Sequence, residues 1–210
     1  MRRSALVPVV LAVALVVPLA AAAQEAAPPM PEDPRAPRYR EVERGFFTGF
    51  ELGYLGLFKT PTADRARYQY APANGGAANG LLVGVDLGYD LTSRIALAAF
   101  VLGSNSQASV SYGAFSVYAA GLDLRVGLLG SRDKNAVERT FFYLHGRAGY
   151  LVTRPEGLFG TNDTYFAVGP GIEYYTRLRH FSVGLAADMA YVAKAGTAGV
   201  AVTPTVRYTF

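Results

Sequence analysis

Residues 181–192 read FSVGLAADMAYV. Phe181, Val183, Leu185, Ala187, Met189 and Tyr191 alternate with Ser182, Gly184, Ala186 and Asp188. A period of two is the mark of a β-strand with two unlike faces. One face is apolar throughout and carries an aromatic ring near each end. The other is made of small residues and one acid, which is not the Lys/Glu/Thr mix of a sheet facing water. The reading that fits both faces puts the apolar row in lipid and the small row in a cramped interior, as in a narrow transmembrane barrel.

Seven further segments repeat the pattern. Residues 46–58 set Phe46, Phe50, Leu52, Tyr54 and Phe58 against Phe47, Gly49, Glu51 and Gly53. Residues 81–89 set Val83, Val85 and Leu87 against Gly84, Asp86 and Gly88. Residues 94–102 are apolar on both faces after Arg94, which leaves their register least determined. Residues 115–128 oppose Leu122 and Leu124 to Asp123 and Arg125, and residues 141–152 oppose Leu144 and Tyr150 to His145 and Arg147. Residues 165–175 oppose Val168 and Ile172 to Gly169 and Glu173, and residues 200–210 oppose Val206 and Tyr208 to Thr205 and Arg207. Segments of this length cross the hydrocarbon layer when tilted. The expected fold is all-β: a single eight-stranded antiparallel up-and-down transmembrane barrel over residues 46–210.

The start of the chain agrees with export. Arg2 and Arg3, the apolar run Leu6 to Leu19 and the small residues Ala21 to Ala23 form a secretory signal peptide over residues 1–23, with the cut before Gln24. The run is interrupted by Pro18 and falls short of the roughly 20 residues of a spanning helix, which argues against a retained anchor. Residues 24–45 hold five prolines among charged side chains and read as an extended periplasmic spacer. The chain has no cysteine, which excludes a lipid-anchor thiol, disulfides and thiolate zinc sites. Net charge is +4, of which Arg2 and Arg3 supply two, and about +2 is too weak to suggest nucleic acid. The 23 Gly, 14 Tyr and 12 Phe fit tight strand packing and interfacial rings.

With both termini periplasmic, the first, third, fifth and seventh connections face outward. The first, residues 59–80, is long, but the seventh, residues 193–199, is short and the inner turn 131–140 is long, so the loop-length rule is only partly obeyed.

The chain ends in Phe210, with Tyr208 and Val206 on the same face. This terminal pattern resembles the C-terminal assembly signal of bacterial outer-membrane barrels, and residues 87–97 (LGYDLTSRIAL) with the strand ends Phe181 and Tyr191 resemble the small OmpA/OmpX/OmpW-type barrels. The resemblance implies residence in the bacterial outer membrane, contact with its lipids and lipopolysaccharide, and handling by the barrel-assembly machinery through Tyr208 and Phe210. Residues 38–68 and 171–186 also resemble the CglE family of myxobacterial adventurous gliding-motility outer-membrane proteins. That narrower resemblance implies a place in an envelope motility complex beside other envelope proteins.

Glu51, Asp86, Asp123, Glu173 and Asp188 fall on the inner face, as do Arg125, Arg147 and Arg207. Buried charges need partners, so these eight are expected to form a lumen ion-pair network. Phe50, Val85, Leu124, Leu144, Ile172, Leu185 and Val206 are expected to face lipid. His145 and His180 lack the neighbours of a nucleophile site or a metal site, and no cofactor is expected. In the first outer loop Arg65, Arg67, Tyr68 and Tyr70 could contact lipopolysaccharide phosphates or a partner. The sequence thus points to a non-enzymatic structural or partner-binding barrel, with a narrow channel or small-molecule conduit as the alternative.

Overall fold

The computed structural model describes residues 42–58, 78–109, 113–133, 136–154, 162–178 and 180–210. The leader, the Pro-rich segment up to residue 41 and the loop positions Arg65, Arg67, Tyr68 and Tyr70 lie outside the described residues.

Eight strands follow one another: β1 (Phe46–Phe58), β2 (Ala78–Asp90), β3 (Ile95–Ser109), β4 (Gly113–Arg132), β5 (Glu138–Arg154), β6 (Asp163–Tyr175), β7 (Phe181–Val192) and β8 (Thr197–Thr209). Each pairs antiparallel with the next, and β8 returns to β1 to close the barrel. Closure runs from Phe47↔Thr209 to Phe58↔Ala198 and leaves no strand edge unpaired. A 13-residue strand such as β1, at about 3.3 Å per residue and a tilt near 40°, spans ~30 Å, the thickness of a bilayer core.

The exterior is apolar. Phe50, Val85, Leu124, Leu185 and Val206 are each nearly half exposed, Leu144 somewhat less and Ile172 partly. The five inner-face acids, Arg147 and Arg207 are all buried, and Arg125 is only slightly exposed. Outward rings gather near both ends of the wall: Phe46, Tyr89, Tyr174 and Phe210 at the end where the barrel begins and closes, Tyr118, Tyr150 and Tyr191 at the other. An exterior of this kind costs free energy in water and is favoured in lipid between interfacial aromatic belts.

Three local features depart from the alternation seen in the sequence. Strands β4 and β5 run on into the 131–140 stretch as a hairpin with bulges at Gly127/Leu129 and Ser131/Arg132, so the two flanks of the long inner turn are paired strand. β3 extends to Ser109 rather than ending at Leu102. Pro170 and Pro204 sit inside β6 and β8, and the β6–β7 and β1–β8 ladders skip the positions beside them, because proline has no N–H to donate. The tight turn between β7 and β8 places Gly196 at φ 63°, a conformation glycine adopts freely. Asp163 supports that turn, accepting from the backbone N–H groups of Lys194 and Ala195, both at 2.8 Å.

The inner face corrects one expectation. It is not only glycine, alanine and single charges: Leu55, Leu57, Leu82, Phe100, Leu102, Phe115, Val117, Leu151, Tyr165 and Val192 pack together inside the half away from the terminal end. An eight-stranded lumen is just wide enough for side chains to fill it.

Candidate functional site

Adjacent strands bring their inward positions to common heights, and the lumen charges fall into two tiers. The middle tier draws Glu51 from β1, Asp86 from β2, Asp123 from β4, His145 and Arg147 from β5, and Asp188 from β7. All six are between 1% and 4% exposed. Arg147 reaches across the barrel with both ends of its fork on Glu51: Nη1 donates to Oε2 at 2.9 Å and Nη2 to Oε1. Its Nε donates to Asp123 Oδ2 at 3.2 Å, and Asp86 Oδ2 lies 3.8 Å from Nη2. Fork-to-carboxylate geometry of this kind is the strongest form of side-chain ion pair. His145 stands between two acids, with Nδ1 3.3 Å from Asp123 Oδ1 and Nε2 2.7 Å from Asp188 Oδ1. The second contact has ion-pair distance without hydrogen-bond alignment.

The lower tier lies towards the terminal end. Arg125 donates to Glu173 at 3.1 Å, Ser182 donates to the other Glu173 oxygen at 2.6 Å, and Arg207 pairs with Asp90 and sits 3.8 Å from Glu173. Aromatic faces support the guanidiniums: Arg125 lies 4.4 Å from the Tyr143 ring centre and Arg207 3.5 Å from that of Phe47. Below Arg207 and Arg125 a cavity of about 30 Å³ opens at the terminal end. It is roomy enough for water or a small polar group.

Above the middle tier the apolar cluster fills the bore. Phe100 forms its floor, with Arg147 5.4 Å beneath its ring and Tyr165 edge-on to it at 6.2 Å. Ser104, Ser106 and Thr153 add hydroxyls in this half but no charge.

The eight network residues expected from sequence are thus assigned as follows. Glu51, Asp86, Asp123 and Arg147 meet in one cluster, and Arg125, Glu173 and Arg207 in another. Asp188 meets His145 rather than an arginine. The sequence placed His145 on the inner face without assigning it a partner, and left Asp90 and Ser182 out of the network. Asp90 could have been found by carrying the β2 parity of Asp86 and Gly88 two residues further. Tyr208 and Phe210 belong to an aromatic group at the seam between β8 and β1, with Phe210 tilted against Phe46 at 5.5 Å and Tyr208 5.0 Å from Phe181. The Phe210 N–H donates to the Phe46 carbonyl at 2.9 Å.

No family model matches the sequence, and no curated protein matches it. Among solved structures, Neisserial surface protein A is similar, with a TM-score of 0.59 at 14% identity, covering 79% of this chain and 97% of that one. Weaker likenesses are the attachment invasion locus protein Ail of Yersinia pestis (TM-score 0.45, 11% identity, 80% and 100% covered) and the N-terminal barrel domain of Pseudomonas aeruginosa OprF (0.44, 14%, 79% and 98%). The first likeness is one of fold. The chain has the fold of the small eight-stranded outer-membrane barrels, and the bacterial outer membrane is where such barrels reside.

Proposed function

We propose that the chain is a non-enzymatic outer-membrane barrel with a closed lumen, serving a structural or partner-binding role from its ends and loops. The observation that carries this reading is the stacking of two ion-paired tiers beneath an apolar plug. An ion entering the bore would have to break buried pairs and then cross the apolar cluster. His145 lies between two carboxylates beneath the plug, far from where a lipid substrate could reach it. In the orientation that fits this reading, both chain termini, and the barrel end they share, face the periplasm. Tyr208 and Phe210 then present the edge used during assembly by strand addition, and Arg65, Arg67, Tyr68 and Tyr70 of the first outer loop are the candidate contacts for lipopolysaccharide. A place in a gliding-motility complex rests on the sequence resemblance alone; loss of surface gliding on deletion of the gene, with envelope proteins co-purifying, tests it.

Planar-bilayer recording of the purified, folded chain tests the closed lumen. The expected trace is silent at both polarities. Steady, reproducible unitary conductance defeats the closed-lumen reading and favours the conduit.

A further inference from the structure

The lower tier is balanced, but the lip of the mouth beneath it is not. Arg125 and Arg207 face Glu173 and Asp90, so the floor of the mouth cavity carries two guanidiniums and two carboxylates. Arg44 and Arg94 also line the cavity. Arg44 donates to the Ser93 carbonyl and lies over the Phe141 ring, its centre 5.2 Å away. Arg94 donates to the Leu128 carbonyl at 3.0 Å. Both therefore rest on neutral acceptors. Arg44 is anchored to the residue next to Arg94, so both positively charged side chains belong to the rim of one cavity. Above them Arg207 lines the same cavity, and its buried Nε has no hydrogen-bond partner. Fixed guanidiniums around a partly enclosed cavity, with a spare buried N–H donor, form a receptor for an anion.

We propose that the mouth is an oxyanion-binding site, in which Arg44, Arg94 and Arg207 hold the carboxylate or phosphate end group of a larger ligand. The cavity, about 30 Å³, admits only the anionic end, and the remainder of the ligand stays outside the barrel. The periplasmic source of that ligand rests on the orientation proposed above; the site itself does not. Because a silent barrel can still bind an anion, the binding test and the conductance test fail separately.

The full chain, folded in detergent with ¹⁵N-labelled arginine, is titrated with inorganic phosphate and, separately, with acetate, against chloride at matched ionic strength. The expected result is a saturable shift of the Arg207 Nε–H resonance and of the Arg94 resonance, with the tighter of the two probes identifying the class of end group. In the Arg44→Gln/Arg94→Gln double variant, binding should weaken roughly tenfold or more, since two charge-assisted contacts are lost. Arg177→Gln, an exposed turn position, should bind as wild type. If the double variant does not fold, as judged by heat-modifiable gel mobility, Arg94→Lys replaces it; it keeps the charge, loses the fork, and should bind at intermediate strength. Non-saturable shifts, equal shifts with chloride, an unaffected double or Lys variant, or no response at Arg207 would each overturn the assignment.

Discussion

Arg147 is the residue on which the middle tier depends. It contacts Glu51 and Asp123 and lies near Asp86, so its removal leaves three buried carboxylates facing one another. Replacing Arg147 with Met should cost about 3–5 kcal/mol, the range for breaking a buried pair from one side, in urea-driven unfolding from lipid vesicles. Arg177→Gln should change stability by less than about 0.5 kcal/mol. The acids around Arg147 are not equivalent. Glu51 takes both prongs of the fork, whereas Asp86 has an oxygen without a hydrogen-bond partner. Asp86→Asn should therefore be neutral or stabilising in the same assay, because it removes charge from a tier rich in acid. Glu51→Gln should destabilise. Equal losses for the two would mean that Asp86 is as well paired as Glu51.

At the scale of the strand, Gly171 in β6 illustrates how closely the lumen is filled. A Cβ at this position would run into the ring of Tyr143 on β5, the ring on which Arg125 rests. Gly171→Val should destabilise by about 1–3 kcal/mol through overpacking, measured as a lowered urea midpoint. Gly146→Val, where the added Cβ meets nothing, should cost less. The strands themselves were legible wherever the two faces differ. β1 and β7 begin and end where their alternation does. β3 was hardest to read, and the reason is physical. Its inward Ala96, Ala98, Phe100 and Leu102 are buried and its outward residues are apolar as well, so the plug erases the contrast on which a period-two reading depends. The β4–β5 extension was missed because a bulge shifts the parity at Gly127/Leu129.

For the whole molecule, the inward or outward direction of each charge was legible from strand parity, but the partners were not. Arg147 and Glu51 are 96 residues apart and meet only because the closed wall brings β5 opposite β1. The same closure distinguishes a transmembrane barrel in this register from any arrangement with the apolar face turned inward. The most direct measurement uses the absence of native cysteine. Single cysteines are placed along β7, each carries a fluorophore, and the barrel is folded into vesicles containing a lipid-chain quencher. Positions 183, 185, 187 and 189 should be quenched, and positions 182, 184, 186 and 188 protected, in strict alternation. Quenching of the second set, or no alternation along the strand, would contradict the account.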